Sequence, residues 1–386
     1  MPIRYLYVDD DETEKLEELI AEVHFHAGGE LEITHTRTNP MKVIQQMFVD
    51  GRYDGLMIDQ KLDAANEDGV TADYWGTALA QNFRTEMIGG QIENAPIVLF
   101  SNEDVYVQYF DKDESAHNLF DFTLGKTALS KSERYAYQAS HILIGLAKAY
   151  NIARSQVQPL ISSKATRQEV FAPLLAWDDS IFKFIDKRFL ECAEAKSHDI
   201  HTLISLILNT LVRSAGMLVT ESMLTTRLGI DVESSSDWSN LKAQFESFKY
   251  SGVFASLKER WWFSRIEDWW YENEVSSQSM RGLTATERVD AIKQITGFQN
   301  LKPILAKYTN GQQSEKYWVN CVVSETPLDP YDAILVSKPD LKPWEQPLYL
   351  DAQITYDREY SKAKYPVHSD YQKKVRPLYN RLTNND

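Results

Sequence analysis

Three short apolar runs in the first 101 residues each stop at a polar side chain, two further strand-like segments accompany them, and helical stretches lie between. Buried strands of a parallel sheet read this way where they emerge at their carboxyl ends. Within Tyr53–Lys61 (YDGLMIDQK), the run Leu56, Met57 and Ile58 stops at Asp59, Gln60 and Lys61. Ile3–Val8 stops at Asp9, Asp10 and Asp11; Leu31–Thr36 is a third strand; 95–100 (APIVLF) stops at Ser101; 119–124 leads to Lys126. The spacing predicts helices over 12–23, with Leu16, Leu19, Ile20 and Val23 on one face, and over 41–49, with Asn39 as cap and Pro40 at the first helical position. Further helices are predicted over 70–87, 104–110 and 133–150, the last with Ala139, Ile142, Leu146 and Ala149 on one face. Strand and helix alternating five times call for one parallel sheet with right-handed crossovers.

A parallel sheet gathers its strand ends at one edge, so Asp9, Asp10, Asp59, Ser101 and Lys126 are expected to converge there. Three carboxylates so close repel unless a divalent cation neutralises them, and hard oxygen ligands suit Mg²⁺. A cation, a hydroxyl and an ammonium can hold the oxygens of a phosphoryl group in transit, with the remaining carboxylate as nucleophile.

On the YVDDDE stretch with Asp9 and Asp10, the LMID stretch with Asp59, the PIVLFS stretch with Ser101 and the LGK stretch with Lys126, residues 1–150 resemble the receiver domain of two-component response regulators. The resemblance implies a flavodoxin-like five-stranded parallel sheet of α/β class. It implies that Asp59 accepts a phosphoryl group from the phosphohistidine of a histidine kinase or phosphotransfer protein. It further implies Mg²⁺ on Asp9, Asp10, Asp59 and the backbone carbonyl of Lys61, with Ser101 and Lys126 binding phosphoryl oxygens. Beyond this self-phosphorylation and dephosphorylation chemistry no enzyme activity is expected. The chain departs from the family in three places. The loop after Asp59 (KLDAANEDG) lacks the usual proline and reaches Asp68 and Gly69 late, Thr127 replaces the proline after Lys126, and Thr123 stands where an aromatic usually lies.

Charge divides the chain: residues 1–150 hold 12 Lys+Arg against 26 Asp+Glu, and the remaining residues 29 against 30. Neither part has the basic excess typical of nucleic-acid binding. Two cysteines, Cys192 and Cys321, make no disulfide framework, the first residues read as a strand rather than a signal peptide, and no apolar run reaches the roughly 18 residues of a membrane span. A cytoplasmic protein with no membrane partner is expected.

After a linker at 151–165, a mostly helical α+β output region is expected at 166–300, followed by a small α+β subdomain at 301–386. Helices are predicted over 177–194 and 201–218; His198 and His201 beside Asp199 lack further metal ligands and read as a solvated helix start. Residues 220–271 weakly resemble a winged helix-turn-helix: a capped helix from Thr220, a second over 237–250, and strands over 253–255 and 261–265. Lys242, Lys249, Lys258, Arg260 and Arg265 sit among acids there, so an output protein partner is the first expectation, DNA the alternative, and a homodimer an open option. The doublets Trp261-Trp262 and Trp269-Trp270 read as core or as a partner's hot spot, with core favoured. Strands are predicted over 316–323 and 333–337, and 348–356 is a strand or a helix. The tail from 358 to 381 carries seven Lys+Arg against Glu359 and Asp370; it suits nucleic acid, the acidic first domain or solvent.

Overall fold

The structure, a computed structural model, describes residues 1–64, 69, 74–102, 118–273, 275, 277–306, 313–357 and 364–383. Strands β1 (Ile3–Val8), β2 (Leu31–Thr36), β3 (Gly55–Ile58), β4 (Ile97–Ser101) and β5 (Phe122–Gly125) form one sheet in the order 2-1-3-4-5, every pair parallel. This is the flavodoxin-like order, with its switch point between β1 and β3. Helices α1 (Thr13–His26), α2 (Met41–Asp50), α3 (Gly76–Ile88), α4 (Lys126–Lys131) and α5 (Glu133–Ile152) connect and cover it.

The period of two along β1 decides what each face receives. Leu6 and Val8 join Leu56, Ile58, Ile97 and Leu99 in a core closed by Ile44 and Phe48 of α2 and Leu79 and Phe83 of α3. Tyr5 and Tyr7 face the other way, and the Tyr5 hydroxyl donates to the Leu143 carbonyl of α5 at 2.8 Å. Gly55, opposite Tyr5 in register, makes room for this ring: a Cβ there would stand 2.2 Å from the tyrosine ring.

Several local expectations change. Pro40 itself holds the cap position of α2, and the Asn39 amide donates to the Arg37 carbonyl instead of capping. The predicted helix over 104–110, Asp68 and residues 70–73 lie outside the described residues. The stretch expected as a linker, 151–165, is helical: α5 continues through one π-helical turn (Ala153–Val157) into α6 (Gln158–Ser162), because Ala153 and Val157 stay buried on its inner side. Helix α7 (Arg167–Leu175) follows, and the predicted helix over 177–194 is two shorter ones, α8 (Asp179–Phe182) and α9 (Lys187–Lys196). The one over 201–218 is α10 (Ile200–Ile207) followed by a π turn to Val212 and a strand at Leu218–Thr220.

The chain forms two compact units that interleave in sequence. The first takes Met1–Ala176, Glu191–Leu208 and Gly252–Leu257, and the second takes the rest. In the first unit a buried polar knot fastens the start of β5. Asp121 accepts from Arg84 Nη2 (2.7 Å), the Tyr150 hydroxyl (2.6 Å) and the Ile97 amide (2.8 Å), and His201 Nδ1 lies 2.9 Å away. The other imidazole nitrogen of His201 faces the Asn118 carbonyl at 2.6 Å, so this histidine is a buried structural tie rather than a solvated helix start.

In the second unit, Thr220 caps a helix at Glu221–Leu228 as expected, but the next helix is confined to Trp238–Gln244. Residues 253–255 are no strand. Phe254 sits against Gly145 of α5, and the Val253 amide donates to the Leu174 carbonyl, within the first unit. Arg260–Trp262 pairs antiparallel with Leu218–Thr220, Lys249 forms a bridge with Trp261, and Phe263–Glu272 is helical. Trp261, Trp262, Trp269 and Trp270 are all buried, so the doublets are core. Short strand pairs Val319–Asn320 with Pro327–Leu328, and Ile334–Leu335 with Tyr349–Leu350, build a second small core, and 352–357 is helical. The described part of the basic tail is helical at Ser369–Gln372 and Val375–Thr383, and Val375 and Leu378 lie against that core. Among the described residues no helix is long and apolar enough to cross a membrane.

Burial pushes the Asp121 carboxyl up, but Arg84, then His201 and Tyr150, outweigh it and hold it well below the usual carboxylate range. A depressed folded value contributes stability that is present above about pH 4 and lost as the pH falls below it. Wild type is therefore expected to lose stability below about pH 4 more steeply than Asp121→Asn, by urea denaturation across pH. Arg84→Met, which strands the buried carboxylate, is expected to cost about 3–5 kcal/mol at neutral pH. A loss under about 1 kcal/mol would show the pair to be dispensable.

Candidate phosphoryl and metal site

The carboxyl ends of β1, β3, β4 and β5 bring Asp9, Asp10, Asp59, Ser101 and Lys126 together. Ser101 is the last residue of β4 and Lys126 the first of α4, directly after β5. The Gly125 amide that precedes Lys126 donates to the Tyr135 hydroxyl at 2.9 Å, which holds that corner. Lys126 Nζ lies 2.6 Å from Asp9 Oδ2 and 3.2 Å from Asp59 Oδ1, and all three side chains are buried. Asp11 Oδ2, on the rim, is 3.8 Å from the same ammonium.

Each carboxylate is oriented by a second set of donors. The Lys61 amide donates to Asp59 Oδ2 at 2.9 Å, and the Asp11 amide to Asp9 Oδ1 at 2.9 Å. Asp10 Oδ2 accepts from the amides of Asp63 and Ala64 at 2.9 and 2.7 Å, so it shapes the loop after Asp59. Lys61 thus enters the site through its N–H, and its ammonium turns out to Asp63 at 2.9 Å. Gly76, at the start of α3, presses on the same segment: a Cβ there would come 2.1 Å from the Asp59 carbonyl oxygen.

Tyr7 belongs to the site although it reads as core in the sequence. Its hydroxyl donates to Asp9 Oδ2, the oxygen that Lys126 also holds. The only signal was a tyrosine at an inward position of an otherwise aliphatic strand end, where a buried hydroxyl requires a partner. Asp121 was missed for the same reason in reverse, since it sits at the opposite end of β5 with no motif around it.

Electrostatics set the state of the nucleophile candidate. Burial raises the Asp59 carboxyl, Lys126 pulls it down, Asp9 pushes it up, and the Ser101 hydroxyl and Lys61 amide favour the ion, which together leave it at about 6. Burial lowers the Lys126 ammonium, yet Asp9 and Asp59 outweigh it and hold it above its usual value. Burial also raises Asp10, against the Ala64 and Asp63 amides. The Ser101 hydroxyl is fully buried beside Asp59 and has no well-formed hydrogen bond among the described residues.

Asp9, Asp10 and Asp59 each offer one oxygen, all within 4.8 Å of one another. Their donor set is entirely oxygen, and one ammonium leaves their three charges under-compensated. A hard cation fits both conditions.

No protein-family model and no curated protein matches the sequence. Among solved structures, a sensor protein from Polaromonas sp. JS666 aligns at 14% identity and a TM-score of 0.26, over 38% of this chain and 98% of that one. The lysine decarboxylase LdcF of Francisella novicida aligns at 9% identity and a TM-score of 0.20, over 59% of this chain and 32% of that one. At these scores neither likeness carries an argument about this chain.

An ordinary aspartate titrates near 3.9, so a folded value near 6 penalises the ionised Asp59 above about pH 6, and the penalty fades below about pH 4. At roughly 1.4 kcal/mol per pH unit between the two values, the burden is of the order of 3 kcal/mol. Asp59→Asn is expected to raise stability by about 1–3 kcal/mol near pH 8 without divalent cation, and by much less near pH 4.5. Millimolar Mg²⁺ is expected to raise the Tm of wild type and leave that of Asp59→Asn nearly unmoved. A variant less stable than wild type near pH 8 would contradict the assigned burden.

Proposed function

We propose that the chain is a response regulator of a two-component phosphorelay, with Asp59 as phosphoacceptor and a histidine kinase or phosphotransfer protein as donor. The observation that carries this reading is Lys126 bridging Asp9 and Asp59 beside the buried, under-bonded Ser101 hydroxyl. In the transfer, an Asp59 carboxylate oxygen attacks the phosphorus of a phosphoimidazole. The P–O bond forms as the P–N bond breaks, and the leaving nitrogen keeps the electron pair. Lys126 then turns its ammonium from Asp59 Oδ1 to a phosphoryl oxygen, and Ser101 donates its hydroxyl to another. Asp9, Asp10, Asp59 and the Lys61 carbonyl would hold Mg²⁺, which when bound supplies positive charge against the phosphoryl oxygens. Tyr7 keeps Asp9 in place throughout, since its hydroxyl does not depend on where the ammonium points.

The output we propose is a change in protein binding. β5 carries Thr123 next to Leu99 of β4, and Asp121, the residue before β5, is tied to Tyr150 of α5 and His201 of α10. A shift of Ser101 and β5 on phosphorylation would thereby reach helix α10 without a flexible relay. The alternative is DNA binding through residues 220–271. Its support is the order strand 218–220, helix 221–228, helix 238–244, bridge at Lys249 and strand 260–262. Against it, Lys242 pairs with Glu221 and Glu259, Lys249 with Glu246 and Glu259, and Lys258 with Glu325. Phosphate contacts drawn from those lysines would first have to break ion pairs.

Incubation with acetyl phosphate and Mg²⁺ is expected to add the mass of one phosphoryl group to wild type and none to Asp59→Ala, with Lys126→Ala slowed at least tenfold. An unchanged wild-type mass, or equal gain in Asp59→Ala, ends the phosphoacceptor reading. Titration of random duplex DNA at two salt concentrations is expected to give weak binding with little salt slope. A steep slope would replace the protein-partner output with DNA.

A further inference from the structure

The second unit holds a cavity of about 320 Å³ between strand pair 218–220/260–262 and the segment 345–349. Its charged lining is Arg213, Lys258, Arg260 and Lys338 against Glu325 and Glu345. Both acids are engaged by lysines: Lys258 lies 2.6 Å from Glu325 and Lys338 lies 2.9 Å from Glu345. Arg260 differs. It sits on a strand locked to Thr220 in register, and among the described residues its guanidinium has neither an ion pair nor a hydrogen bond, with Nε sealed from solvent. Burial lowers the Arg260 guanidinium, the Glu325 charge raises it and the neighbouring Arg213 charge lowers it, with a net value of about 10. Its neighbouring acid, Glu325, is already paired with Lys258, so this half-buried guanidinium, with Arg213 on the same cavity lining, has donors left for an anion.

We propose that this cavity binds a small phosphorylated metabolite, whose phosphate oxygens take the Arg260 fork with Arg213 as second cation. Guanidinium donates to phosphate through two parallel N–H groups, which ammonium cannot do. The first turn of helix 221–228 also lines the cavity through Ser222 and Met223, and the positive end of its dipole reinforces the preference for an anion. The volume exceeds what a bare ion needs and lies within the roughly 300–1,000 Å³ of small-molecule sites. Tyr349, Tyr365 and Leu348 supply apolar and aromatic wall for the rest of the ligand. The site is independent of Asp59 chemistry, and it gives the second unit a chemical input of its own.

Isothermal titration of the full chain without Mg²⁺ tests this, with inorganic phosphate and adenosine 5′-monophosphate as ligands and adenosine and acetate as controls. Both phosphates are expected to bind at one site with Kd below about 10 mM, and adenosine and acetate are not. Tighter binding of the monophosphate marks a phosphorylated metabolite as the occupant, and equal binding marks phosphate itself. Arg260→Gln is expected to weaken binding at least tenfold and Lys126→Ala to leave it unchanged. Should Arg260→Gln fail a thermal-unfolding check, Arg213→Gln is expected to give the same loss. No binding of either phosphate, binding of acetate as tight, binding unaltered by both arginine variants, or loss in Lys126→Ala would each overturn the proposal.

Discussion

Lys126 places one ammonium, only 6% exposed, within reach of Asp9 on the first strand and Asp59 on the third, and this contact closes the acidic edge of the sheet. Without it, buried carboxylates on neighbouring strands would repel across a medium of low dielectric constant. The lysine compensates only part of that charge. Burial still leaves Asp59 at about 6, an under-compensated state that a cation at the same spot would relieve. The local scaffold serves this tension: the Tyr7 hydroxyl fixes Asp9, the Lys61 amide fixes Asp59, and Asp10 draws in the loop that follows.

The opposite end of β5 is secured by another kind of polar contact. Asp121 there satisfies its oxygens with arginine, tyrosine, histidine and a backbone amide, so the knot is fully bonded where the acidic edge is not. A satisfied network rigidifies and an unsatisfied one invites a ligand. One strand thus has a fully bonded end tied to helix 200–207 and an under-compensated acidic end at Lys126.

The second unit follows the same contrast with the signs reversed. Trp261, Trp262, Trp269 and Trp270 are interior packing, and Lys242, Lys249 and Lys258 are paired with glutamates. Arg227 is buried against the rings of Phe263 and Trp318 and donates to Gln346. Arg260, by comparison, faces open space.

Much of the first unit was legible in the chain because its code is local. A parallel strand buried on both faces shows itself as a continuous apolar run, and the residue after the run must lie at the carboxyl edge, so Asp9, Asp59, Ser101 and Lys126 could be gathered on paper. Strand ends shifted by a residue or two, and the linker became helix, since Ala153 and Val157 are buried by neighbours that the local sequence does not name. What tertiary structure alone decided are the contacts between residues far apart in sequence: Tyr7 under Asp9 and Lys126, His201 on Asp121, Phe254 on Gly145, and Arg260 opposite residues near 345. The sequence by itself determined the sheet and which residues gather at its edge, because strand period and apolar runs depend on near neighbours. The buried polar pairings were settled only in three dimensions, because a lone histidine or arginine carries no periodicity and takes its meaning from whichever distant group desolvates or bonds it.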